Sequence, residues 1–449
     1  MLAGAAVGGA LVPRAVGTPV LIGAAFVLVI GLARARTRWP AVAAVAAVAV
    51  LAMGLSARAW DGAEPVAPGP FRDTVVLRTD PAPFGPGVRA TAIASGRHVE
   101  VLGYGRAGRR LAERSAGDQV HVTGRLTPPP DDLAHRLAAR HVVGRLNAEL
   151  VTGWTAGSPA AEAANRARDV VERGARTLPQ PGRGLYLGMV LGDDRTQPPD
   201  QVDAFRDAGL AHLTAVSGQN VALLLVVVGP VLRRLRAAPR LFATLAVIGW
   251  FALLTRFEPS VLRATAMAGL AALTAFLGRP ADPARMLCLA VAGLVLIDPL
   301  LVWSVGFWLS VGATGGIAVL ARPLADRLPG PRAVAEAAGV SLGAQLGVVP
   351  ASVAVFGGVP VASVPVNVVA APLAGPVMVY GLPAGVAAAF LPDPVAAVAQ
   401  LPTAALLGAL DLLARAGAAL PGGRGPWGAL VSVAAALAVL ARAPREPRR

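Results

Sequence analysis

The sequence contains no lysine. All 41 basic residues are arginine, against 26 acidic ones, for a formal net charge of +15. Without lysine there is no Gly-x-x-x-x-Gly-Lys-Ser/Thr phosphate loop, which excludes that route to nucleotide-driven work. A single cysteine, Cys288, excludes an intrachain disulfide. It lies in an apolar run and reads as a small helix residue. The five histidines are His98, His121, His135, His141 and His212. None stands in metal-ligand spacing with a second histidine and an acid. The N-terminus lacks the basic n-region of a cleavable signal peptide. No catalytic constellation is evident, no cofactor or metal is called for, and the expectation is a protein that is not an enzyme.

What is abundant is apolar sequence. Hydrophobic residues make up 55% of 449 residues, and mean hydropathy is +0.60. Runs about long enough to cross a bilayer recur, which predicts a polytopic α-helical membrane protein. Leu2 to Val12, Val20 to Leu32 and Ala41 to Leu55 open the chain. Arg34, Arg36 and Arg38 crowd the loop before the third run, and the positive-inside rule puts that loop in the cytoplasm. From Leu210 the spans resume: Leu210–Leu232, Leu241–Leu254, Ser260–Leu277, Met286–Val302, Val305–Leu320, Ala337–Phe356, Val361–Met378, Val379–Phe390 and Trp427–Leu440. Ala396–Ala419 reads as amphipathic or interfacial. The arginine-rich loops fall on one side of this count, which places the C-terminus in the cytoplasm. Arginine forks suit bidentate phosphate contacts, although abundant Ala, Gly, Val, Pro and Arg together also read as compositional bias.

Between Arg58 and Trp154 no run is long enough to span. Short alternating runs at Thr74–Arg78, Arg89–Ala94, His98–Gly103 and Asp118–Leu126 read as strands between Pro/Gly breaks. In the last, Val120, Val122 and Leu126 point one way and Gln119, His121, Thr123 and Arg125 the other. About five short strands with one buried and one wet face suit a small extracytoplasmic OB-like β-barrel inserted in the membrane chain. From Gly87 to Leu126 seven arginines face three acids, net +4. The wet faces carry Arg89, Arg97, His98, Tyr104, Arg106, Arg109, Arg110, His121 and Arg125. This is a single-strand-binding pattern with one aromatic, or the solvated face of an arginine-rich protein. Ala160 to Leu178 follows as an amphipathic helix on the outer surface.

The chain is organised around Gly192 to Val221, GDDRTQPPDQVDAFRDAGLAHLTAVSGQNV. It holds the adjacent charges Asp193, Asp194 and Arg195, an amphipathic run with Arg206, and a polar break from His212 through Ser217, Gly218, Gln219 and Asn220. Irregular polar chain at membrane depth is tolerated only where protein buries it or it lines a wet cavity. The Asp193–Asp194 pair reads either as metal ligands or, with no third ligand evident, as helix capping or solvation. In the apolar half, Arg263 at a span entry is a functional candidate or a snorkelling side chain. Ser304, Phe307, Trp308 and Ser310 frame another entry, beside Gly306, Gly312, Gly315 and Gly316, which also suit close helix packing. Gln345 lies mid-span and needs a partner. Asn367 lies between Pro365 and Pro372, where the helix is expected to break. Several interrupted helices in one bundle suit a transport path.

The run GDDR…AFRDAGLAHLTAVSGQNVALL resembles the central signature of the ComEC competence family, in the form lacking its C-terminal metallo-β-lactamase-like domain. PSVLRATAM, DPLLVWSVGFWLS and the Gln345 and Asn367 segments extend the resemblance. It implies a channel that passes single-stranded DNA into the cytoplasm during natural transformation, with the outer OB-like domain receiving DNA. It implies partners as well: single-stranded DNA, a DNA receptor on the outer face, a separate nuclease, a cytoplasmic motor or helicase, and the lipid bilayer. The expected organisation is N-terminal transmembrane helices in 1–56, the OB-like domain in 57–155, an interfacial helix and connector in 156–190, the channel in 191–442 and a basic cytoplasmic tail in 443–449. The location is the cytoplasmic membrane. The alternative is a small-molecule transporter or membrane scaffold sharing the fold.

Overall fold

The computed structural model describes residues 1–449 apart from 13, 15, 17–19, 22–23, 25–37, 215, 217, 280–281, 421–423 and 444–449. Most of the expected run Val20 to Leu32, the Arg34 and Arg36 loop, Ser217 and most of the basic tail lie outside the described residues. The chain divides into two compact units. One comprises Met1–Arg166 with Cys288–Ser304, the other Ala167–Leu287 with Val305–Arg449.

The first unit opens with α1 (Leu2–Leu11) packed along α2 (Arg38–Asp61). Gly9 meets the Ala49 backbone so closely that no Cβ fits there. The sheet then follows: β1 (Gly69–Leu77), β2 (Ala82–Phe84), β3 (Gly87–Ala94), β4 (Arg97–Gly103), β5 (Gln119–Thr127) and β6 (Val142–Thr155). Its order is β1-β5-β6-β4-β3-β2, and β1 also pairs with β3, so five strands form a closed circuit of pairings. Only the β4–β6 pair is parallel. Alternation decides the faces. Val120 and Val122 are buried and Leu126 packs half-buried against the same core, while Gln119, His121 and Arg125 are exposed and Thr123 is half-buried.

Two features of this sheet differ from the sequence reading. β6, the longest strand, was not resolved there as a strand of its own. Tyr104, Arg106, Arg109 and Arg110 do not stand on strands: Gly105–Ala112 is a helix, α3, capping the sheet between β4 and β5. Its short sequence GRAGRRLA carries two glycines, which lower helix propensity. Tertiary packing overrides this, because Ala107, Gly108 and Leu111 enter the sheet core. Gly108 lies so close to Gly103 that an added Cβ would sit 2.6 Å from the Gly103 carbonyl oxygen. The helix α4 (Asp131–Ala138) places His135 against Trp60 and Trp303, ring centroids 4.8 and 5.1 Å away. Beside it, His141 bonds the Asp298 carboxylate at 3.0 Å.

The second unit begins inside α5 (Pro159–Gly174) and continues with α6 (Gly182–Leu191), α7 (Pro199–Asp207), α8 (Gly218–Leu232), α9 (Ala237–Leu254) and α10 (Pro259–Phe276). The units exchange again within α11 (Pro283–Ile297). There follow α12 (Val305–Ala325), α13 (Arg332–Phe356), α14 (Ser363–Pro376), α15 (Leu382–Ala388), α16 (Asp393–Ala418) and α17 (Pro426–Leu440). Among the described residues six helices are long and apolar enough to cross a membrane.

Several expected spans are redrawn. Val361–Met378 and Val379–Phe390 are not two crossings. Ser363–Ala388 is one apolar helix of 26 residues, with a π turn at Val377–Gly381 between α14 and α15. Asn367 does not break it; the irregularity lies ten residues on, flanked by Pro376 and Pro383, which lack the N–H a regular helix needs. Ala396–Ala419 is not interfacial in character, since α16 is itself long and apolar enough to cross. The expected span from Leu210 opens on a 3-10 turn at Ala211–Leu213, and its α-helix is Gly218–Leu232. Met286–Val302 ends as helix at Ile297 and continues as a 3-10 turn.

α12 and α13 pack through small residues. A Cβ at Gly316 would lie 2.1 Å from the Gly343 carbonyl oxygen, and one at Gly347 2.0 Å from that of Gly312. With Gly339, these residues repeat every four positions, so two backbones meet directly. Gly339-Val340-Ser341-Leu342-Gly343 matches a nucleophile-elbow pattern by letter, but it lies mid-helix and serves this contact.

Substituting Gly316 by Leu is therefore expected to destabilise the protein by about 1–3 kcal/mol or more. Gly315→Ala, whose Cβ meets only Leu287 Cδ2 at 3.6 Å, should be tolerated; thermal unfolding of the purified variants checks both. In the first unit the Asp298 hydrogen bond raises the His141 pKa above its ordinary value, against burial. Such a bond stabilises fully below about pH 6.5 and fades as pH rises through the raised value. The melting-temperature gap between wild type and Asp298→Asn should accordingly narrow from about pH 6 to pH 8.5.

Candidate functional site

α6 is buried from Gly184 through Leu191. A helix end inside protein leaves its last carbonyls without water, so other groups must satisfy them. Here the Asn220 side-chain amide donates to the Met189 carbonyl at 2.6 Å. Arg168 donates to the Leu191 carbonyl at 3.2 Å and to that of Leu254 at 2.9 Å. Gly192 ends the helix with φ +73°, a conformation that favours glycine. Its hydrogen is also needed, since a Cβ would meet Val216 Cγ2 at 2.8 Å.

Asp193 answers the arginine charge this arrangement buries. Its Oδ1 accepts the Arg195 Nε at 2.7 Å and its Oδ2 the Arg195 Nη2 at 2.5 Å, with Arg168 Nη2 3.5 Å away. The side chain is 4% exposed, that of Arg168 5%. Burial would raise the Asp193 pKa, but hydrogen bonds and charge from Arg195, with the charge of Arg168, hold it below the ordinary value. Glu172 on α5 shows the opposite shift: burial and the Asp193 charge raise it. Asp194, adjacent in sequence, is exposed. The two carboxylates thus face different surroundings, and the oxygens of Asp193 are taken by arginine.

The rest of the central stretch divides. Arg206 is exposed and pairs with Asp203 at 2.9 Å. His212 and Gln219 are exposed, Asn220 is buried, and Ser217 lies outside the described residues. Gly218 starts α8, and a Cβ there would lie 3.1 Å from the Arg263 guanidinium. Arg263 does not snorkel to an edge. It is 6% exposed and donates through Nε to Ser310 Oγ at 2.7 Å, with Met267 Sδ 3.4 Å from Nη1. Among the described residues no carboxylate pairs with it. Phe307, 1% exposed, stacks edge-on to Trp308 at 6.0 Å. Ser304 belongs to the first unit.

A second polar group joins Gln345 and Asn367. Gln345 donates to Ser432 Oγ at 3.1 Å and accepts from Ser363 Oγ. Asn367 donates to the Ser363 carbonyl at 2.7 Å and the Gly209 carbonyl at 3.3 Å. Ser363 and Ser432 were missed in the sequence, where serine carries no signal of its own. Arg168 was seen only as one charge of an amphipathic helix. Its spacing with Ala164, Val171 and Ala175, all buried, puts it on the apolar face, and helical periodicity alone could have singled it out.

With this geometry in view, the comparisons with known proteins decide the family. Residues 189–445, more than half of the chain, match the family model described as Competence protein. The chain belongs to the ComEC competence family. It is a multi-pass membrane protein. Its similar relatives include the uncharacterized protein YcaI of Escherichia coli (24% identical over 43% of this chain and 28% of that one). They also include ComE operon protein 3 of Bacillus subtilis (26%, over 46% and 27%) and competence protein ComA of Neisseria gonorrhoeae (32%, over 30% and 21%). Each match thus spans between a fifth and a third of the relative's own length. No solved structure matches significantly. The family match begins inside α6 and takes in Asp193, Arg263, Gln345 and Asn367.

Asp193→Asn is expected to lose about 3–5 kcal/mol, because it removes the buried carboxylate charge that Arg168 and Arg195 share. Asp194→Asn should change stability by less than about 0.5 kcal/mol. Denaturation of both variants in the same detergent measures the difference.

Proposed function

We propose that this protein passes DNA across the cytoplasmic membrane as a single strand. The observation that carries the reading is Arg263. A buried guanidinium in an apolar helix, with no carboxylate partner among the described residues, is costly unless an anion meets it. It lies beside Gly218, where polar chain enters the bundle. Phosphates arriving at that point would be received by an arginine fork. Family membership supports the same reading, since the family model and one relative are named for competence. In this reading Arg263, Ser310, Gly218 and Gln219 belong to the path, and Gln345, Ser363 and Asn367 hold the adjoining helices in register. The chemistry is transport rather than bond-making, and energy comes from a separate motor.

We read the closed circuit of β1, β3, β4, β6 and β5 as an OB-like barrel outside the membrane, where it receives DNA. The parallel β4–β6 pair and α3 between β4 and β5 support that assignment. Counting Ser363–Ala388 as one crossing and α16 as another keeps the C-terminus on the cytoplasmic side, because the two revisions cancel.

The test is entry of labelled DNA into a nuclease-protected cytoplasmic pool in transformable cells. Loss of protected DNA on deletion, with surface-bound DNA retained, is the expected result. Arg263→Gln should reproduce that loss with normal protein levels in the membrane. Wild-type uptake by cells lacking the gene would contradict the reading.

A further inference from the structure

The nine residues of the β domain that sequence reading assigned to DNA do not form one surface. On the strands their charge is largely spent. Glu100, 7% exposed at its side chain, pairs with Arg145 at 2.7 Å and Arg89 at 3.5 Å. Arg97 donates to the Glu64 carbonyl. His121 is bonded to Thr74 Oγ1 at 2.7 Å, and His98 stands against His141, ring centroids 6.2 Å apart. Of these residues the strand face retains Arg125 as an exposed cation, with the exposed Arg72 of β1 on the same face.

The α3 side is different. α3 buries Ala107, Gly108 and Leu111 and turns Arg106 and Arg109 outward, both exposed, while Arg110, exposed as well, donates to the Val151 carbonyl. Neither Arg106 nor Arg109 has a carboxylate partner among the described residues. Exposed aromatic rings stand at both ends of this helix. At its start is Tyr104, 46% exposed, whose ring lies against Gly87. Gly87 pairs with Phe84, and Arg89 sits over the Phe84 ring at 4.7 Å. At its far end is Trp154, 50% exposed, with the Arg114 guanidinium 4.6 Å over its ring. From Tyr104 to Arg114 the chain advances about 15 Å at helical rise, the length of about four stacked nucleotides.

We propose that the α3 side of the β domain, rather than its strand face, holds single-stranded nucleic acid. Arg106 and Arg109 contact successive phosphates, and Tyr104 and Trp154 stack bases at either end. This rests on the DNA reading above and specifies its entry site and strandedness. Rings standing apart with guanidinium charge between them suit unpaired bases. A duplex keeps its bases stacked inside and could use the arginines alone.

The experiment uses the full chain in nanodiscs of zwitterionic lipid and a fluorescein-labelled twelve-residue oligothymidylate, read by anisotropy. Arg106→Gln/Arg109→Gln should weaken binding about tenfold or more and flatten the log-affinity against log-salt slope by about 1.4. Trp154→Ala should weaken it about fivefold or more, with Trp154→Phe restoring most of it. Arg125→Gln should change it less than twofold, and a duplex of equal length should bind less tightly than the single strand. Unchanged melting temperatures show that each variant is folded. Wild-type binding that Arg125→Gln abolishes and the α3 variants leave intact would overturn the proposal while keeping the DNA reading. No binding by wild type would count against the DNA reading itself. Oligonucleotide binding untouched by the α3 variants, with their melting temperature falling only in anionic lipid, would assign the face to lipid headgroups instead and also overturn the proposal.

Discussion

The end of a helix cannot be buried cheaply, and the second unit of this protein is built around one that is. α6 brings eight consecutive residues into the interior, and its last carbonyls need donors. Asn220 and Arg168 supply them from two other segments. An arginine so placed needs an anion, and Asp193 provides it. Arg195 then completes the charge and closes the loop on itself. Through Arg168 the cap also reaches the Leu254 carbonyl at the end of α9. One solvation constraint thus fixes α5, the central loop, the start of α8 and the end of α9 together. Among the described residues the neighbouring Arg263 has no such answering charge, and its guanidinium is met by Ser310 and Met267 instead.

How much of this was legible in the sequence follows from what each signal depends on. The membrane class was legible because hydrophobic length is a local property, although the limits of several spans were not. Strands were legible where alternation was clean, as at Val120, Val122 and the exposed His121 between them. α3 was not, because the two glycines of GRAGRRLA lower its helix propensity, and Gly108 is there for contact with Gly103 while Gly105 adopts φ +54°. The join at Val377–Gly381 was read as a turn between two crossings. Pro376 and Pro383 remove backbone donors whether the chain turns back or runs on through a π turn, and local sequence does not distinguish the two.

The candidate site was legible as a stretch and not as a geometry. Asp193 and Asp194 are the same residue type side by side. One is buried between arginines and one faces solvent, a difference set by Arg168 from a helix twenty-five positions away. The partners of Gln345 were likewise invisible, since Ser363 and Ser432 come from two other helices. Long-range hydrogen bonds leave no periodic trace, so motif position marked the stretch and not the partners of its side chains.

The central claim is that Asp193 and Arg168 act as one unit that closes the buried end of α6. A double-mutant cycle on unfolding free energy, with Asp193→Asn, Arg168→Gln and the pair together, tests it most directly. The account predicts strong coupling, with the double variant little worse than the worse single variant and an interaction energy of about 1–3 kcal/mol. Single-variant losses that simply add, within about 0.5 kcal/mol, would contradict it.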